Sequence, residues 1–193
     1  MKHAILHAFV VSAAAMLALG TDSAHAQTTS TGPYYATPSW DQSLPSSTRF
    51  IVLTNFNSEA VLDRETGLVW ERTPHTTTIV FTQPPGTFAN YAAVDCMTRK
   101  VGGRFGWRLP SMQEFYSLVD DTQSPLALPA GHPFIGITGG IFNSFWSANT
   151  SRLGDGSDIF VMNFAAPNGF EITPPNFTER VWCVRGGSGP VQQ

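Results

Sequence analysis

Cysteine occurs at two positions only, Cys96 and Cys183, nearly ninety residues apart, and the N-terminus ahead of them is written as an export signal. Lys2 precedes an apolar run from Ala8 to Leu19, and Ala24-His25-Ala26 has the small-x-small pattern that signal peptidase accepts. Residues 1–26 are therefore expected to be removed, with the mature chain beginning at Gln27. An apolar run of about twelve residues is too short for a hydrocarbon core that needs about twenty, and no later stretch reaches that length, so no membrane span is expected. The destination is the periplasm or the outside of the cell, an oxidising compartment in which two cysteines read as one disulfide. Two unpaired buried thiols are the alternative. Closing so long a loop would stabilise the fold by up to about 4.6 kcal/mol, and it obliges the segments around both cysteines to meet.

The side chains left after cleavage exclude several function classes. Ten are basic and thirteen acidic, with Lys100 the single lysine, so no basic stripe for nucleic acid is expected. His3, His7 and His25 leave with the signal; His75 and His132 alone remain, too few for a multi-histidine metal site. With 17 glycines, 14 prolines and only 13% charged residues, the chain favours turns and loops over long solvated helices.

Along the chain, residues 27–48 are rich in Thr, Ser and Pro and read as an extended arm or linker, with Tyr34, Tyr35 and Trp40 its large apolar groups. Order is expected from Phe50. Two apolar runs around Asp63-Arg64-Glu65-Thr66-Gly67 predict a hairpin over 60–70, and Ile79 to Phe81 a short strand. Phe88, Ala92 and Cys96 recur every fourth residue and predict a helix from about Phe88 to Val101, stopped by Gly102-Gly103. Ser111-Met112-Gln113-Glu114 is a capping-box sequence and predicts a second helix running to about Val119. Pro125, Pro129, Pro133 and four glycines make 120–145 a long ordered loop. Strands are expected at Ser144 to Ala148, Asp158 to Phe164 and Arg180 to Arg185, the last apolar on both faces as a central strand would be. The fold class is α+β, two helices packed on a small antiparallel sheet, with residues 49–187 as the domain and 188–193 as a tail.

Three groups of residues stand in order: Gly106-Trp107-Arg108-Leu109-Pro110-Ser111-x-x-Glu114, Asn143-Ser144-Phe145-Trp146-Ser147, and Val181-Trp182-Cys183-Val184-Arg185. Together with Val61-Leu62-Asp63 and Gly67-Leu68-Val69-Trp70 upstream, this arrangement resembles the Lcl C-terminal domain family, over roughly residues 50–187. The resemblance implies a C-type lectin-like fold, shared distantly with formylglycine-generating enzymes: two helices, a small twisted sheet and long loops. It further implies a disulfide between the first helix and the last strand, which fits Cys96 and Cys183. The family's namesake is an adhesin for sulfated glycans, but its collagen-like repeats have no counterpart here.

Chemistry is sparse. A formylglycine-type oxidation needs a reactive cysteine pair, and both cysteines already have a structural place. Gln83-Pro84-Pro85 lacks the third oxygen ligand of a lectin calcium loop, and Trp182 is followed by cysteine. Gly154-Asp155-Gly156-Ser157-Asp158 resembles half of a calcium loop, yet a polar hairpin turn accounts for it. Trp70, Trp107, Trp146 and Trp182 sit among apolar neighbours as core residues would, Trp146 least securely because it follows the long loop, and His132 reads as a turn residue. We therefore expect no catalysis, no metal and no cofactor, and a binding domain whose partner class is surface glycans, the alternative being a structural protein of the cell envelope. Ligand contacts are assigned to the long loop and to Asn143, Trp146, Asn149, Arg152, Asp155 and Asp158 beside it, which together offer a stacking surface, amides, a cation and carboxylates. The sequence sets no oligomeric state.

Overall fold

The apolar runs flanking the polar turn at 64–67 pair as expected in the computed structural model, which describes residues 43–81, 91–138, 143–151, 158–165 and 169–187. Strand β2, Ala60–Asp63, runs antiparallel to β3, Val69–Glu71, with Val61 opposite Trp70. Gly67 closes the turn at φ 69°, and its amide donates to the Asp63 carbonyl at 2.8 Å. Strand β1, Phe50–Val52, adds to the outer side of β2.

Order begins before Phe50. A single helical turn, α1, Ser46–Arg49, leads into β1, and the Leu44 amide donates to the Glu65 carboxylate at 2.6 Å. The cause is Arg49, 1% exposed, whose guanidinium reaches both Asp63 oxygens at 2.9 and 2.8 Å and the Ser117 carbonyl at 2.6 Å. A buried guanidinium needs these partners, so the end of the arm is held in place. Residues 1–42 and the tail at 188–193 lie outside the described residues.

Two helices follow β4, Thr78–Val80. Helix α2, Tyr91–Thr98, buries Ala92 and Cys96 as their spacing predicts; its expected start at Phe88 lies outside the described residues, and it stops short of Val101. Helix α3, Met112–Tyr116, opens with the capping box in full: Ser111 Oγ accepts from the Glu114 amide, and Glu114 Oε2 accepts from the Ser111 amide at 2.8 Å. It ends at Tyr116 instead of Val119, because the backbone turns at Ser117, whose carbonyl is taken by Arg49.

The expected single small sheet is corrected to two. The first is four-stranded, in the order β1-β2-β3-β9; the second is five-stranded, in the order β4-β8-β5-β6-β7. Here β5 is Ser144–Thr150, β6 Ile159–Asn163, β7 Phe170–Thr173, β8 Thr178–Arg180 and β9 Val184–Arg185. The strand read continuously from Arg180 to Arg185 is thus split between the sheets. Val181, Trp182 and Cys183 make the crossing, fully buried, and their polar groups find partners outside a ladder. The Glu71 amide donates to the Cys183 carbonyl at 3.1 Å, Glu71 Oε2 accepts from the Cys183 amide at 2.9 Å, and the Trp182 indole donates to the Glu71 carbonyl at 2.8 Å. Arg99 pairs with the other Glu71 oxygen at 2.8 Å. Burial pushes the Glu71 carboxyl above its ordinary range, against the pull of Arg99 and the Cys183 amide.

The disulfide expected from the sequence joins Cys96 of α2 to Cys183 of the crossing, with Cα atoms 5.6 Å apart. It belongs to one core cluster with Trp107, Trp146 and Val181; the other centres on Trp70, Phe115, Phe145 and Trp182. Trp182 meets the rings of Trp70, Phe134 and Phe145 at 5.2, 4.9 and 5.5 Å. The architecture is mixed α/β, two sheets with few helices.

Candidate functional site

The long loop, expected to face a ligand, anchors itself in the core over its described part while Ile135 stays 48% exposed. Leu128, Phe134 and Ile137 are buried in the Trp182 cluster, and the Ala127 amide donates to the Phe164 carbonyl at 2.8 Å. Glycines and prolines supply the turns, while the interspersed apolar side chains supply the anchoring. His132 stacks on Phe134 at 5.8 Å, and its Nδ1 is buried without a partner. That burial lowers its pKa, which favours the neutral ring.

The residues assigned to the ligand scatter. Trp146 is fully buried, its indole donating to the Ile79 carbonyl at 2.7 Å and its ring 5.3 Å from Phe81, so it offers no stacking face. Asn143 is committed to the fold, its Oδ1 accepting from the Arg180 guanidinium at 3.3 Å. Asp158, half-buried, has its carbonyl engaged by the Ser151 amide at 2.6 Å. Arg152 and Asp155, with the Gly154–Asp158 turn apart from Asp158 itself, lie outside the described residues.

Of the described four, Asn149 reaches an open concavity. It lines a groove of about 320 Å³ together with Met112, Gln113, Tyr116, Thr150, Phe160 and Phe170. Its Oδ1 accepts from the Met112 amide at 2.7 Å, which caps the start of α3 and leaves Nδ2 as the polar atom the side chain can turn elsewhere. Tyr116 and Phe170 are 39% and 51% exposed, large values for aromatic rings on a folded surface. Their centroids lie 6.5 Å apart, and Phe160 continues the row 6.0 Å from Phe170. Gly169 lies beside the Tyr116 ring, where an added Cβ would make an ordinary contact at 3.4 Å. Burial pushes the Tyr116 phenol upward, so it keeps its proton at neutral pH.

Among the described residues the groove therefore combines an aromatic row with the amides of Asn149 and Gln113 and the hydroxyls of Thr150 and Tyr116, with no charged side chain in its lining. Among the described residues no three His, Cys, Asp or Glu side chains gather as a metal set, and no helix is long and apolar enough to cross a membrane. The sequence reading missed Tyr116, Phe160 and Phe170. Phe164 ends an apolar run and Phe170 stands between Gly169 and Glu171, but an alternating strand buries one of its faces as readily as the other, so the local sequence does not say that Phe170 is the exposed one.

The family model described as the Lcl C-terminal domain matches residues 59–185, about two-thirds of the chain. A search of curated proteins found no match.

Proposed function

This chain belongs to the Lcl C-terminal domain family, and from that premise we propose that it is an exported, non-enzymatic binding domain that recognises surface glycans through the groove beside α3. The observation that carries this is the row of exposed rings, Tyr116 and Phe170 with Phe160, set beside uncharged hydrogen-bonding groups. A sugar ring presents an apolar C–H face and a rim of hydroxyls, so it needs aromatic faces together with amide and hydroxyl partners. Asn149 supplies one such partner, and the segment carrying Arg152 and Asp155 follows directly on Thr150 and Ser151, close enough in sequence to complete the rim. Trp146 and Asn143 are not part of this reading. A C-type lectin-like arrangement is the fold we favour, supported by the disulfide from α2 to the last strands and by the long loop.

A glycan array probed with and without chelator tests the reading. Binding to a defined set of neutral or weakly charged glycans, insensitive to chelator, is the expected result. Tyr116→Ala and Phe170→Ala should each weaken it by about 2- to 10-fold, the range for one aromatic contact. Their melting temperatures should stay near the parent's, since exposed substitutions change stability by about 0.5 kcal/mol or less. Full binding by both variants would place the ligand elsewhere.

A further inference from the structure

The cations outside the groove divide into two kinds. Arg49, Arg99 and Arg108 are paired with carboxylates. The other six have no ion pair among the described residues: Arg64, Arg72 and Arg180 donate to backbone carbonyls, whereas Lys100, Arg104 and Arg185 gather around one turn. Val101 to Arg104 forms that turn, with Gly102 and Gly103 at positive φ and the Arg104 amide donating to the Val101 carbonyl at 3.0 Å. The Arg104 and Arg185 guanidinium groups lie 4.5 and 5.9 Å from the Phe56 ring, and Lys100 Nζ lies 5.7 Å from that of Phe105. Arg185 Nε also donates to the Phe105 carbonyl at 3.0 Å. Glu59 touches the turn through the Gly102 amide, at 2.6 Å, without pairing with any of the three.

The turn is firmly mounted. Trp107, 1% exposed, donates its indole N–H to the Arg104 carbonyl at 2.8 Å and meets Phe56 edge-on. Yet Phe105, held between these anchors, is 59% exposed, and Met97, three residues before Lys100, is 64% exposed. Phe105 is thus presented to solvent beside three cations without carboxylate partners, and Met97 is exposed near the end of α2, just ahead of Lys100 in the chain.

We infer that this turn docks the protein on an anionic lipid surface. Cations meet the headgroup phosphates, while an aromatic and a thioether side chain enter the boundary between headgroups and acyl chains. A soluble polyanion would engage the cations but has no acyl region for Met97 and Phe105 to enter. The surface shares no residue with the groove, so it stands or falls independently of the glycan reading.

Co-sedimentation of the mature chain from Gln27, free of the apolar 8–19 run, with vesicles of phosphatidylcholine, alone or mixed with phosphatidylglycerol, is the test. Binding is expected to the mixed vesicles only, and to fall with added salt. At about fivefold per cation, Lys100→Gln with Arg104→Gln should lower partitioning about 25-fold. Phe105→Ser, which leaves every charge in place, should lower it as well, and melting curves show that each variant is folded. The inference is overturned if folded variants partition as the parent does, if the parent ignores both vesicles, or if it binds dextran sulfate in solution while leaving the mixed vesicles free. Binding equally to both vesicle types would also overturn it, since the cations would then contribute nothing.

Discussion

Gly102 has φ +59°, and a Cβ added there would lie 2.5 Å from Phe56 Cβ. The left-handed backbone costs an L-residue about 1–2 kcal/mol, and forcing the contact about 1–3 more. Gly102→Ala should therefore destabilise by about 2–5 kcal/mol in urea unfolding. Gly103, at φ +76° with nothing within 4 Å, should show only the backbone part; equal losses at both glycines would refute the packing argument. Asp63→Ala removes both short carboxylate contacts of the buried Arg49 guanidinium, leaving it Glu65 at 3.7 Å and the Ser117 carbonyl, and should cost about 3 kcal/mol, the lower end for breaking a buried pair. Glu179 supplies a pH signature. Burial, and secondarily Glu171, raises its carboxyl from 4.5 to about 7. The folded protein thus holds this proton more tightly than the unfolded chain, so its stabilising effect is complete below about pH 4.5 and is lost as the pH rises through about 7. In Glu179→Gln, melting temperatures measured across that window should decline less than the parent's.

At the scale of elements, α3 shows what local sequence can and cannot specify. Its start is written in four consecutive residues, and Ser111→Ala should cost about 1 kcal/mol by leaving the Glu114 amide without its cap. Glu114→Ala should cost more, because the same carboxylate also holds Arg108 at 2.8 and 2.6 Å; thermal melts of the two variants give the order. The end of α3 was not legible, since the turn at Ser117 is fixed by Arg49, distant in the chain. The β2–β3 hairpin was legible from its polar turn, and α2 from the spacing of Ala92 and Cys96. The split between β8 and β9 was not: Val181 to Val184 is apolar on both faces like any central strand, and the partners that take its polar groups at the crossing come from Glu71, in another hairpin. Asn149 could be picked out as a polar residue following a strand. Tyr116 and Phe170 could not, because an aromatic ring is exposed when its neighbours fail to cover it, and the residues of this groove come from four separate elements.

For the whole molecule, the bond between Cys96 and Cys183 fastens α2 to the place where the two sheets exchange a strand. Replacing both cysteines by serine should lower stability by about 2–5 kcal/mol. Because the crossing serves both sheets, fluorescence and circular dichroism should report one shared transition in the parent; a resolved pair of transitions would show that the sheets unfold separately. The order of strands also has a mechanical side. The described chain enters the fold through β1 and leaves it through β9, the first and last strands of the same four-stranded sheet, whereas the groove rests on the other. A pull transmitted along the backbone from either direction loads that first sheet. It passes to the groove-bearing sheet through the β3–β4 connection, the Val181–Cys183 crossing and the covalent tie, so tension applied between the two ends of the described chain leaves the groove to one side.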